Sequence, residues 1–291
     1  MKAVLFGSLS IDENEINGRS SSGPGGAVYF LAKTFQNLQV SVDLLSSYGK
    51  DFPKSCLPST DFILASPNLD KNLSFRNLYI HGNREQKVEN YEAYQNFSIP
   101  TFKINFSEAD LVFVAPIISN ITLLQMKKIK SLFPQSFFCL LPQGFYRHIG
   151  ENGKIIRSNW QCADDVMADF DFVSLSTEDV READILAKNW SHLGPIVTIT
   201  KAENGSSLYK NGKRLDIPTF RIDNIVDPTG AGDVFAASFA FAYLKSQRLK
   251  DSLAFATASA CLSLPLSSDK LQYSYRDIIN FAHMHNCLIK I

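Results

Sequence analysis

Apolar residues in this chain come in short blocks divided by polar, glycine-bearing turns. Ala3-Val4-Leu5-Phe6 is uninterrupted and stops at Gly7. A short continuous run of this kind predicts a strand covered on both faces. A Ser- and Gly-rich loop over residues 18–26 follows, then a helix over 27–35 and a strand over 40–45. From about residue 70 to 97 the pattern changes. Leu73-Ser74-Phe75-Arg76-Asn77-Leu78-Tyr79-Ile80 partly alternates, His81-Gly82-Asn83 reads as a turn, and residues 87–94 extend again. That predicts an exposed antiparallel ribbon inserted as a flap. Buried-strand character returns at 111–115 and 137–141, begins again at Phe172-Val173, and recurs at 195–200. Helices are expected at 121–132, 177–190, 234–245, 253–264 and 275–285, and Asn211-Gly212 marks a hairpin turn. Strands alternating with helices predict an α/β fold, a mostly parallel sheet covered on both faces.

Composition narrows the function classes. The 291 residues are 45% hydrophobic and suit one large domain. Lys+Arg and Asp+Glu are equal at 29 each, which gives no basic excess for nucleic acid or an anionic membrane. The five cysteines are scattered without a C-x-x-C, as expected of reduced thiols and not of a disulfide framework or zinc site. The N-terminal apolar run is too short for a signal-peptide core, and no stretch approaches the roughly 20 apolar residues of a membrane span. A cytoplasmic protein is expected.

The candidate chemistry lies at Asp227-Pro228-Thr229-Gly230-Ala231-Gly232-Asp233. A strand-like segment, 220–226, leads into this turn and a long apolar helix leaves it. Backbone N–H groups at such a helix start converge with the positive end of the helix dipole to make an anion hole. Asp233 sits at its mouth. Two readings of that acid stay open: a helix cap, or a base that takes a proton from a hydroxyl while the amides stabilise a transferring phosphoryl group.

The seven-residue turn resembles the D-[TP]-T-G-A-G-D pattern of the PfkB, or ribokinase-like, carbohydrate kinases. Further segments match in order: Gly7-Ser8-Leu9-Ser10-Ile11-Asp12 is similar to the family's G-x-x-x-x-D, Pro24-Gly25-Gly26 to its diglycine hinge, and Gly49-Lys50-Asp51 to its G-x-D. The resemblance implies a ribokinase-like three-layer α/β/α domain over 1–291, with a mostly parallel central sheet and a small β-sheet lid formed by about 10–22 and 70–98. It implies an ATP-dependent kinase acting on a hydroxyl of a small sugar or polyol. Asp233 would be the base, the amides of Gly230, Ala231 and Gly232 the anion hole, and Asp12, Gly25 and Gly26 the substrate contacts. In the lid, Arg84, Gln86 and Tyr79 are candidates to meet a polyol or phosphate. Thr200, Ala202, Gly205 and Thr257 would border the nucleotide. Mg²⁺ would travel with ATP beside Glu178 or Asp179, and Asp227 would lie near a monovalent-cation (K⁺) site in members that have one. A homodimer through paired lids is a further option for this family. Alternatives are a nucleoside or myo-inositol acceptor, or a non-catalytic ligand-binding member.

The sequence also departs from the pattern. Ser176 falls where N-x-x-E has Asn, with Asp179 three residues on; Ala202 replaces the Gly of T-x-G; Phe30 stands where many sugar kinases have Asn. Leu141-Pro142-Gln143-Gly144-Phe145-Tyr146-Arg147 resembles D-x-Q-G-[FY]-x-R with Leu141 for Asp, and Gly82-Asn83-Arg84-Glu85-Gln86 resembles a G-x-R-x-Q lid segment.

Overall fold

The structure is a computed structural model and describes residues 1–16, 18–57, 69–80, 83–97 and 109–291. Its elements are β1 (Lys2–Ser8), β2 (Ser10–Ile16), β3 (Arg19–Gly25), α1 (Ala27–Asn37), β4 (Ser41–Ser47), β5 (Leu73–Ile80), β6 (Asn83–Glu89), β7 (Leu111–Val114), α2 (Leu123–Leu132), β8 (Phe137–Leu140), β9 (Arg147–Ile149), β10 (Ile155–Arg157), α3 (Asp164–Met167), β11 (Phe172–Ser176), α4 (Ala183–Ser191), β12 (Ile196–Thr200), β13 (Ser206–Lys210), β14 (Lys213–Ile217), α5 (Ala231–Ser246), α6 (Leu249–Ser263) and α7 (Tyr275–Met284).

Eight strands form one sheet in the order β14-β13-β12-β11-β8-β7-β1-β4. Pairing is parallel from β12 through β4, and the β13–β14 hairpin adds an antiparallel edge. The uninterrupted apolar runs follow from this arrangement. Leu5, Leu44 and Phe113 point into one buried cluster with α1, α5, α6 and α7, while Val4, Phe6, Val112 and Val114 point into a second with α2, α3 and α4. Successive side chains of a strand face opposite sides, so a strand covered twice has no polar face. The hairpin turn is at Asn211-Gly212, both with positive φ (50° and 72°).

A second sheet, in the order β3-β2-β5-β6, forms the lid. Here the structure corrects three expectations. The Ser/Gly-rich stretch read as a loop is strand β3, because its backbone pairs along the whole of β2. The lid is not a simple antiparallel ribbon, since β2 and β5 run parallel. Residues 91–94 are a 3₁₀ turn and not a continuation of β6. Two more corrections concern the site. Residues 220–226 are irregular and not a strand. The helix expected from 177 starts at Ala183, which leaves Glu178 and Asp179 in a turn. Ser176 organises that turn by accepting the Glu178 N–H on its hydroxyl at 3.1 Å.

Both tryptophans and His285 have partners inside the fold. Trp190 is fully buried with its indole N–H on Asp164, and Trp160 stacks on Phe145 with ring centroids 4.4 Å apart. His285 is bonded to the Phe281 carbonyl at 2.9 Å. Among the described residues no group of three or more His, Cys, Asp or Glu could hold a metal, all five cysteines are free, and no helix is long and apolar enough to cross a membrane.

Candidate active site

The carboxyl ends of the parallel strands all lead to one place, where ligands bind in open α/β sheets. Asp12 follows β1, Gln143 follows β8, Asp179 follows β11, and Thr200 ends β12. The N-terminus of α5 faces them. One cavity is lined by Ser10, Asp12, Gly26, Phe30, Phe75, Asn77, Gln86, Ile117, Gln143, Arg147, Thr229, Gly230 and Asp233. Thus Asp12 and Asp233, 221 positions apart by subtraction of their numbers, share a wall. The cavity is only ≈ 50 Å³, well under the roughly 300 Å³ at which small-molecule pockets begin. A larger hollow of ≈ 560 Å³, lined by Tyr146, Trp160, Asp179 and Arg181 among others, opens beyond Asp179. It holds neither Asp12 nor Asp233, so size alone does not make it the reacting site.

Glycines decide how close the parts come. A Cβ on Gly25 would fall 2.2 Å from the Asp12 carboxyl carbon, and Ser10 Oγ donates to Asp12 Oδ1 at 2.7 Å. The diglycine thus makes room for the carboxylate itself. Gly26, φ +92°, begins α1. At Gly230, φ +78°, a Cβ would enter the Phe30 ring at 2.3 Å. Phe30, in the place of the family's Asn, therefore packs directly on the loop.

Gly230 is the N-cap of α5, and Ala231 N reaches only Pro228 O, at 3.4 Å. The opening N–H groups of a helix have no intrahelical acceptor, so this turn offers donors to an anion. A Cβ on exposed Gly232 would meet nothing nearer than Thr200 Oγ1 at 4.0 Å. That places Thr200 beside the donors. Asp233 lines the cavity, and its Oδ1 accepts from Gln143 Nε2 at 3.3 Å.

Gln143 and Arg147, quoted in the motif but given no role by the sequence, belong to the site. Arg147 donates to Gln143 Oε1 at 2.8 Å and to the Ile117 carbonyl at 3.0 Å, stands 3.7 Å from Asp179 Oδ1, and lies over the Phe75 ring. One buried guanidinium thus ties the acid-bearing turn after β11 to the residue that holds Asp233. A Gln and an Arg four apart in the D-x-Q-G-[FY]-x-R match were the available signal. Asn14 and Asn77 were also missed; their polar side chains sit at lid positions that sequence alternation leaves ambiguous.

Other candidates fall as follows. Asp227 is buried, and its Oδ1 accepts the Thr229 N–H at 2.9 Å. Burial raises its carboxyl above the ordinary value, opposed by the Thr229 and Asn14 donors. Ala202 adopts the left-handed φ of +47°, retaining the conformation that suits a Gly, and Gly205 has φ +79°. Thr257 is buried, 2.8 Å from Ser206 Oγ and donating to the Leu253 carbonyl at 2.9 Å. Glu178 is exposed. The side chain of Arg84 lies outside the described residues. The G-x-D segment pins the lid to the core, with Asp51 Oδ1 accepting Asn72 N–H and Gly49 N–H donating to Asn72 Oδ1, each at 2.8 Å.

Residues 169–270, which contain the whole 227–233 turn, match the pfkB family of carbohydrate kinases. This C-terminal segment is thus similar to the PfkB family. A cytidine kinase from Thermococcus kodakarensis is 26% identical over 263 residues, 85% of this chain and 90% of its own. Among solved structures, a pyrophosphate-dependent kinase in the ribokinase family, complexed with a pyrophosphate analogue and myo-inositol, superposes with a TM-score of 0.73 at 17% identity, covering 92% of this chain and 98% of its own. The Burkholderia thailandensis nucleoside kinase in complex with inosine gives 0.75 at 13% identity, with both chains covered in full (100%). The fold is thus the ribokinase-like, three-layer, lid-bearing one the sequence implied.

Proposed function

We propose that this protein is a PfkB-family kinase that transfers the γ-phosphoryl group of ATP to a hydroxyl of a small acceptor. The observation that carries the reading is the single cavity in which Asp12, Asp233 and the start of α5 meet. Asp12 accepts from the acceptor's hydroxyls. Asp233 takes the proton from the reacting hydroxyl, whose oxygen bonds to the γ-phosphorus as the bond to the β-phosphate oxygen breaks and ADP leaves. N–H groups of the Gly230-Ala231-Gly232 turn donate to the equatorial oxygens of the phosphoryl group, where charge is greatest.

Mg²⁺ fits the donor set only as an ion carried by the phosphates, since the described carboxylates build no cage and Asp179 stands singly beside the site. It would neutralise phosphate charge there. Asp227 suits a cation less: N–H donors of Thr229 and Asn14 face its oxygens. The proposed transfer therefore places no K⁺ on that side chain.

A nucleoside is the acceptor class the cavity favours. Phe30, Phe75 and Ile117 give it apolar lining beside Asp12's carboxylate, suited to a flat base carried on a polyhydroxy ring. Similarity to the cytidine kinase supports the same class.

The test is ADP release over a panel of nucleosides, sugars and cyclitols, with pyrophosphate as a competing donor, repeated on Asp233→Asn. The expected outcome is transfer to a nucleoside, with kcat lowered by about 10²–10⁴-fold in the variant and acceptor affinity kept. Near-normal turnover by the variant would show that Asp233 is not the base. Transfer to a sugar or cyclitol alone would move the acceptor class. ATP binding with no transfer to any acceptor would favour a non-catalytic binding protein.

A further inference from the structure

Three amide side chains on the lid form a line that ends on the phosphoryl-transfer loop. Gln86 Nε2 donates to Asn77 Oδ1 at 2.7 Å, and Asn77 Nδ2 donates to Asn14 Oδ1 at 2.8 Å. Asn14 Nδ2 then reaches both oxygens of Asp227, at 3.3 and 3.4 Å. The three are cross-strand neighbours: Asn14 is opposite Asn77 on β2 and β5, and Asn77 is opposite Gln86 on β5 and β6. Asn77 and Asn14 each accept from the previous member and donate to the next, so the line has one direction, and it ends on the group best able to accept. Chains of this kind strengthen one another in a low-dielectric interior. Asn14 and Asn77 are 5% and 3% exposed. A second clasp lies alongside, with the Tyr79 hydroxyl 3.4 Å from Thr229 Oγ1.

The far side of Asp227 explains why this matters. Its Oδ1 accepts the N–H of Thr229, the residue before the left-handed Gly230 where α5 begins. The carboxylate is held from the lid by Asn14 and holds the loop by Thr229. We infer that Asn14 is a positioning residue through which the docked lid fixes Asp227, and with it the backbone that presents the anion hole. Lid closure and assembly of the phosphate-stabilising donors are then one event. The inference rests on the kinase reading above. It adds a coupling that a lid acting as a mere cover would lack. It also assigns the Asp227 carboxylate a mechanical partner on the acceptor side.

The test compares wild type with Asn14→Leu, which keeps bulk and removes both bonds, and with Gln86→Leu at the half-exposed outer end of the line. Two readouts are taken: hydrogen exchange of the 229–232 backbone without ligand, and kcat against KM for the acceptor that wild type uses. The expected result for Asn14→Leu is about a tenfold or greater fall in kcat, since small misplacements of reacting groups cost up to about 10²-fold. Acceptor KM should stay within about twofold. Exchange at 229–232 should quicken while β3 and β6 keep their protection. Gln86→Leu should show the same signature, smaller. Unchanged exchange at 229–232, or a loss confined to KM, overturns the inference. If Asn14→Leu fails to fold, Gln86→Leu decides by the same two readouts. Should wild type transfer phosphate to no acceptor, the kinase reading fails, while the exchange comparison still decides the coupling.

Discussion

The two ends of the site are built differently. At the proposed acceptor end, Asp12 is 8% exposed and lies on Gly25 with no room for a methyl group, Phe30 packs on Gly230, and lid amides close the top. At the donor end, Gly232 is open, Thr257 is turned inward to Ser206, and Ile225 and Val226 are 57% and 45% exposed. One end is a fitted, covered space made from segments distant in sequence. The other is an open shelf of backbone groups. A covered site with fixed hydroxyl partners discriminates among acceptors by shape and unmet hydrogen bonds, whereas N–H groups and a helix dipole hold any suitably placed phosphate. Substitutions at the acceptor end should therefore be costly, and those at the donor end that leave its backbone in place cheap.

The harshest test is Gly25→Ala. Its Cβ cannot be placed without moving the Asp12 carboxylate, 2.2 Å away. A displacement of about 1 Å costs on the order of 10²-fold, so kcat/KM for the acceptor should fall by about that factor while KM for ATP holds. A variant within threefold of wild type would mean that Asp12 does not contact the acceptor.

Arg147→Met should follow. The side chain is 8% exposed and bonded to Gln143, the Ile117 carbonyl and Asp179. Removing one partner of a buried pair costs about 3–5 kcal/mol; with Asp179 partly exposed, about 2–3 kcal/mol is expected in urea unfolding. Turnover should drop too, as Gln143 loses its anchor. Arg147→Lys should rescue little, because a single ammonium cannot reproduce a planar fork spread over three acceptors. Full rescue by Lys would reduce Arg147 to a charge.

What the sequence revealed follows the same division. The buried strands were legible because a sheet covered twice has uninterrupted apolar runs, as at 3–6 and 111–114. The turn proposed as an anion hole was legible because its parts are contiguous: two glycines, an acid and a helix. The lid was harder. β3, Arg19–Gly25, contains only small and polar residues, and its strand character comes from pairing with β2 and not from its own pattern. Asn14, Asn77, Gln143 and Arg147 matter through partners far away in sequence, which no local window contains. Helix α4 starts late because Ser176 and the acids after it build a turn of their own.

Asp227→Asn gives a smaller effect whose sign is fixed. Burial raises this carboxyl, so the folded protein holds the proton more firmly than the unfolded chain. The stability it contributes is fully present below the ordinary value of 3.8 and is lost as pH rises through the folded value. Asn cannot ionise and keeps an acceptor for Thr229 N–H. Stability measured from pH 3 to 7 should therefore improve relative to wild type as pH rises. A constant difference across that range would mean that the amide donors offset burial completely.

The gentlest change, Ala202→Gly, tests the shelf directly. Ala202 holds φ +47°, a conformation that costs an L-residue roughly 1–2 kcal/mol. Glycine relieves that strain but gives the unfolded chain more freedom, worth about 0.4–1 kcal/mol in the opposite direction. The difference leaves a gain of about 0–1.6 kcal/mol in unfolding free energy. Because the backbone already has the shape glycine would take, KM for ATP should move less than about twofold. Gly205 is the internal contrast, since a Cβ there would fall 2.2 Å from the Ile217 carbonyl oxygen, and Gly205→Ala should disturb the same turn severely. If Ala202→Gly instead lowered KM for ATP by tenfold or more, the methyl group would be obstructing the nucleotide, and the donor end would be as closely fitted as the acceptor end.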